Sequence, residues 1–185
     1  MPDSPVVTVV GSVGTDHHPF PRFLDWIAEA QQALGFELLV QRGATPERAG
    51  VEAVDYMPAA ELEAHMASAD VVVCHGGPGT MAVAQRCGHR PIVIARDPSL
   101  GEHVDDHQQR YTAKLRAAGA IETPGSAAEL VEMIARARRR DVDVTGPDPD
   151  IARAVEHLGE LVEQLVSGEL KPRPLRDRLL LRRVP

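Results

Sequence analysis

The sequence predicts an α/β fold with a doubly wound, mostly parallel sheet, and three observations carry that prediction. Short aliphatic runs alternate with segments of helical spacing from residue 6 to about residue 137. Two of those runs, 6–13 and 70–74, break directly into glycine-bearing turns. The second contains Val71, Val72, Val73 and Cys74, which is apolar on both faces, as a strand covered by helices on both sides requires. Strand–helix–strand units of this kind lay down parallel neighbours through right-handed crossovers, in a Rossmann-like manner.

Each element has its own local reason. Residues 6–13 are rich in valine and end in Gly11, Ser12, Gly14 and Thr15, a strand followed by a turn. Residues 20–34 form a helix, because Phe23, Leu24, Ile27, Ala28 and Leu34 share one face. Short strands follow at 36–40 and 51–54, separated by the turn-like 42–50. Residues 61–67 read as helix, 70–74 as strand, and 80–87 as a helix closed by Gly88, the residue type that favours a left-handed cap. A strand at 91–95, a helix at 106–118 and a last short strand at 120–122 come next. Ser126, with Glu129 three residues on, is a capping-box pattern opening a helix to Ala137. Past Arg140 the composition shifts to an acidic stretch with Gly146, Pro147 and Pro149, then an amphipathic helix at 151–166. From Lys171 onward Arg173, Arg176, Arg178, Arg182 and Arg183 surround Leu179, Leu180 and Leu181. This divides the chain into a ligand-binding domain, 1–145, and a C-terminal helix with a basic tail, 146–185.

Composition removes several functions. A net charge of -7 and a pI near 5.6 argue against a nucleic-acid binder working through a broad basic surface. Two cysteines, Cys74 and Cys87, build no disulfide framework, which fits a reducing, cytoplasmic setting. The first ten residues do not read as a secretory signal, and no run is long enough to span a bilayer, so a membrane contact would be peripheral or made through a partner.

The chemistry gathers at the turns. In His75-Gly76-Gly77-Pro78-Gly79-Thr80 the glycines let backbone approach a ligand, and the N–H groups of the following helix start face any anion there. His75 stands at the mouth of that turn, where an imidazole can donate to a diphosphate; the alternative is a tight strand-to-helix connection with a satisfied histidine. Asp105, Asp106, Gln108 and Gln109 follow the strand at 91–95, so they stand over the same carboxyl edge. Carboxylates and carboxamides there suit sugar hydroxyls. Asp106 with Gln109, or Asp105 with Gln108, would equally serve as a capping box. His103 and His107 are four apart but lack a third metal ligand at readable spacing, so no metal or other cofactor is expected.

Taken together, VTVVGSVGTDHHPFPRFL, ADVVVCHGGPGTMAVAQRCGHRPIVIAR and DDHQQRYTAKLRAAGA resemble the donor-binding domain of glycosyltransferase family 28, the MurG-like group of GT-B architecture. The likeness is strongest to single-domain members: the catalytic subunit of the dolichol-linked N-acetylglucosamine transferase and exopolysaccharide proteins of the PssE type. The resemblance implies a diphosphate site of Ser12, Gly14, Thr15, His75, Gly76, Gly77, Gly79 and Thr80. It places a base-reading segment at Tyr56 and Met57 and a sugar-holding set at Asp106, Gln108 and Gln109. It further implies an inverting, metal-independent hexosyl transfer from a nucleotide sugar, a UDP-sugar by preference, in polysaccharide or lipid-linked glycan synthesis. The acceptor half would be a separate, membrane-associated subunit. His17 and His18, beside the first loop, are candidates to face the reacting carbon. Val83 stands where relatives often carry a ribose-gripping carboxylate. The rival reading is a non-catalytic nucleotide-sugar-binding or scaffold protein that retained the pocket.

Overall fold

The computed structural model describes residues 7–138; the expected domain division, the helix at 151–166 and the basic tail lie outside them. The described chain runs β1 (Thr8–Ser12), α1 (Pro21–Leu34), β2 (Glu37–Gln41), β3 (Ala53–Val54), α2 (Ala59–Ser68), β4 (Val71–His75), α3 (Pro78–Arg86) and β5 (Ile92–Ile94). A 3-10 turn (Pro98–Leu100), α4 (His107–Ala117) and α5 (Ala127–Arg138) complete it. The five strands form one sheet in the order β3-β2-β1-β4-β5, every neighbouring pair parallel. The chain therefore winds outward from β1 in one direction and returns to build β4 and β5 in the other. Parallel register places Ser12, at the end of β1, opposite both Gln41 and Cys74.

Alternation along the strands decides which core each side chain joins. Val9, Val71 and Val73 pack with Phe23, Leu24 and Ile27 of α1 and with Leu130 and Ile134 of α5 on one face. Val10 and Val72 pack with Met66 of α2 and Ala84 of α3 on the other, while Cys74 and Val93 meet Met81 and, from α4, Leu115. Gly11 is required by this layering, since a Cβ there would press within 3.1–3.3 Å of Val40, Ile27 and Phe23.

Helix ends follow local chemistry. Pro21 opens α1, and Gly35 closes it in the left-handed region (φ 61°), donating to the Gln31 carbonyl. Ser126 Oγ accepts from Glu129 N at 3.2 Å while Glu129 reaches back to Gly125 N at 2.7 Å, the capping pattern read from the sequence. Helix α3 starts at Pro78, two residues earlier than the spacing suggests, because proline suits the first helical position. The expected strand at 120–122 reduces to a single bridge between Ile92 and Glu122. Pro124, lacking an N–H, cannot extend that ladder.

Candidate functional site: a cleft at the sheet's switch point

Strands β1 and β4 are adjacent, but the chain leaves them in opposite directions, and ligands of open α/β sheets gather at the carboxyl side of such a switch point. The two glycine turns meet there. They border a cleft of about 290 Å³ lined by Gly14, Thr15, Gln41, Met57, Ala59, Leu62, His75, Gly77, Gly79 and Thr80. Gly77 caps α3 with no side-chain partner for the first helical N–H groups, and Pro78 has no N–H of its own. The donors left at the helix start are those of Gly79 and Thr80, both on the cleft wall.

His75 knits the two turns together. A Cβ on Gly14 (φ 77°) would stand 2.3 Å from its Cε1, and one on Gly77 would stand 2.1 Å from its Nε2. Both glycines are thus demanded by the imidazole between them. The ring is 8% exposed, and its Nδ1 has no hydrogen-bond partner. Burial, aided by the positive Arg96, pushes its pKa down to about 4 against a backbone hydrogen bond to Ser12 that works to raise it, so the ring is neutral near pH 7 and carries a single N–H rather than a charge.

Arg96, directly after β5, is fully buried and holds the loops around the cleft. Its Nη1 donates to the carbonyls of His18 (2.7 Å) and Glu102 (2.9 Å), its Nη2 donates to that of Val13 (3.0 Å), and its guanidinium lies over the Phe20 ring. Glu102 in turn receives two parallel bonds from Arg22, at 2.9 and 2.6 Å, and one from Asp97 N at 2.8 Å. Gln41 plays a similar part on the other side: Oε1 accepts from Met57 N at 3.0 Å, and Nε2 reaches Ser12 Oγ at 3.4 Å. Sequence reasoning passed over both residues. The available signal was a polar side chain immediately after an aliphatic strand, at the carboxyl edge where parallel sheets keep their sites.

The candidates read from the sequence separate into groups. Gly14, Thr15, Met57, His75, Gly77, Gly79 and Thr80 converge on the cleft. Ser12 lies beneath it, fully buried, its Oγ accepting from Gly14 N. Gly76 is packed under α4, where a Cβ would meet Gln108 and Thr112 at 3.0–3.1 Å. Tyr56 is exposed beside the cleft and does not line it. The sugar-holding set diverges. Asp106 is exposed and pairs with Arg110 at 3.0 Å, making no side-chain cap. Gln108 is buried, its Oε1 accepting from Arg96 N, while Gln109 faces a separate groove with Ala95, Thr112, Arg116 and Thr123. The capping role falls to Asp105, whose Oδ1 accepts from His107 N at 3.0 Å.

His17 and His18 belong to a second polar cluster, made by the β1 loop and the segment leading into α4. Asp16 Oδ1 holds His18 through the backbone N–H at 2.8 Å and the ring Nδ1 at 2.7 Å. Burial works to raise the Asp16 carboxyl, but these hydrogen bonds outweigh it and the pKa falls below the usual aspartate value. An ionised acceptor fixes the proton on His18 Nδ1, leaving the opposite nitrogen basic. The rings of His17, His18, His103 and His107 follow one another with centroids 4.1, 5.7 and 4.6 Å apart.

The model of the glycosyltransferase family 28 C-terminal domain matches residues 23–143. Among solved structures, the chain is similar to the glycotransferase of kitacinnamycin (TM-score 0.56, 18% identity, covering 92% of this chain and 45% of that one). It is also similar to the spinosyn forosaminyltransferase SpnP (TM-score 0.59, 17% identity, 88% and 43%). MurG of Acinetobacter baumannii gives a TM-score of 0.53 at 15% identity, covering 89% and 51%. At these identities the likeness is one of fold, and the chain spans about half the length of each neighbour. No curated protein sequence matches the chain. Because the family model spans well over half of the 185 residues, the chain belongs to the glycosyltransferase family 28 C-terminal domain family.

Proposed function

We infer that this chain is the donor-binding part of an inverting glycosyltransferase that takes a nucleotide sugar, with a uridine diphosphate sugar as the best fit. The observation that carries the reading is the meeting of both glycine turns at the switch point, with His75 between Gly14 and Gly77. The N–H groups of Gly79 and Thr80, the α3 dipole and a neutral imidazole N–H suit a diphosphate in the ground state and the departing diphosphate in the transition state, so no cation need bridge the phosphates. Met57 and Leu62, on the opposite wall, offer apolar surface for a base. Transfer would proceed by displacement at the anomeric carbon. The Asp16–His18 dyad, with its basic nitrogen turned away from Asp16, is our candidate for the group that accepts the acceptor proton. The acceptor half would come from a separate, membrane-associated subunit, as in the single-domain members that the sequence resembles.

Calorimetric titration tests this directly. Uridine diphosphate should bind the purified chain, and His75→Ala should weaken that binding by about 1–3 kcal/mol, the range for hydrogen bonds to charged groups. Uridine binding should change little. Equal losses for nucleotide and nucleoside would make His75 a packing residue, and tight binding without transfer in the presence of an acceptor-binding subunit would favour a non-catalytic binder.

A further inference from the structure

A cluster of His103, Asp105 and His107 before α4 has a chemistry the donor reading does not use. None of His103, Asp105 and His107 lines the cleft. Their ligand atoms nevertheless lie within 4.8 Å of one another. The centre is Asp105 Oδ1, which contacts His107 Nδ1 and stands 3.6 Å from His103 Nδ1. His103 is the anchor: its side chain is 11% exposed and it packs edge-on against His107. Asp105 and His107 are about half exposed and open to solvent.

Two features point to an ion rather than to hydrogen bonding alone. His103 Nδ1 faces only the Asp105 N–H, at 3.4 Å, and the carboxylate at 3.6 Å, both long for an imidazole lone pair. Its other nitrogen, Nε2, faces Asp16 Oδ2 at 3.7 Å from a distant part of the chain. At that distance the pair is an ion-pair contact and not a hydrogen bond, but it leaves a carboxylate on the side where a metal-ligating imidazole keeps its remaining N–H. Zinc bonds of about 2.0–2.2 Å in a tetrahedron set ligand atoms roughly 3.3–3.6 Å apart. The His103–Asp105 separation already matches, and the exposed His107 must turn its Nδ1 out of its close contact with Asp105 Oδ1 to complete the set.

We propose that His103, Asp105 and His107 bind one zinc-class divalent cation, with Asp16 positioning His103 and the fourth coordination place open. The imidazole and carboxylate donors suit zinc better than the hard, oxygen-preferring magnesium or calcium. The sequence alone offered His103 and His107 with no third ligand; Asp105 supplies it once the segment before α4 folds back on itself. The site lies off the donor cleft and does not depend on the transferase reading.

The test uses the full chain without a histidine tag, stripped with a chelator and titrated with Zn²⁺, with Co²⁺ as the spectroscopic probe. One equivalent should bind, and the cobalt complex should show the intense visible bands of a four-coordinate site. Asp105→Asn and His107→Gln, both at exposed positions, should abolish stoichiometric binding while the metal-free variants keep the wild-type circular dichroism and melting temperature. Asp16→Asn should weaken binding by about 10- to 100-fold, as loss of a supporting carboxylate does. Absence of stoichiometric binding would overturn the proposal. So would binding that survives Asp105→Asn and His107→Gln, including binding lost instead in a His17→Gln, His18→Gln double variant. Titration with uridine diphosphate in parallel separates the two readings, since either ligand can fail without the other.

Discussion

At the scale of single residues, His75 links acidity to folding. Its pKa of about 4 in the fold lies below the value near 6.5 of an unfolded imidazole. Between those values the unfolded chain binds the proton and the folded chain does not. Acidification from above pH 6.5 therefore removes stability, and the loss levels off below about pH 4. The gap corresponds to roughly 3 kcal/mol. Urea denaturation at a series of pH values should show the midpoint falling from pH 7 to pH 5, and His75→Gln should flatten that slope. An unchanged slope in the variant would place the acid sensitivity elsewhere. Gly14 and Gly77 were legible in the sequence as turn glycines, although what demands them is the His75 ring between them. The inward turns of Ser12 and Gln108 were not. Whether a polar side chain at a strand end faces a ligand or another loop depends on Gln41 and Arg96, which are distant in sequence.

At the scale of elements, α3 carries a test of function against stability. Gly79 sits in its first turn with no positive φ, and a Cβ there would meet nothing within 4 Å. The fold does not ask for glycine at this place, unlike Gly14 and Gly77. Gly79→Ala should stabilise the chain by about 0.4–1 kcal/mol by restricting the unfolded state. The methyl would stand on the cleft wall, so the same change should weaken binding of uridine diphosphate; thermal denaturation and calorimetry on one sample give both numbers. Stabilisation with unaltered binding would mean that the nucleotide does not approach α3. Elements were read well where periodicity or capping chemistry is local, as in α1 and α5. They were misread where a terminus depends on context: α3 begins at its proline, and the 120–122 segment has too few partners to form more than a bridge.

For the whole molecule, the parallel, doubly wound sheet was legible because strand–helix–strand crossovers leave few topologies, while the strand order, and with it the switch point between β1 and β4, came from the structure. The division of the polar residues into a donor cleft and a histidine cluster was not legible, since the β1 loop contributes to both. Arg96 ties the β1 loop to the segment between β5 and α4. Of its three carbonyl partners, Val13 and His18 lie in the first segment and Glu102 in the second. Hydrogen exchange makes the consequence visible. The amides of His18 and Asp97 are bonded to the carboxylates of Asp16 and Glu102 respectively, so neither can exchange until its own loop opens. With one guanidinium holding both, a single opening event should expose both amides, and their opening free energies should agree. Arg96→Met should lower the two by similar amounts, whereas unequal changes would show that the loops open separately. Two loops that open in one step move as a unit, and their exchange kinetics should carry one rate where two independent loops would carry two.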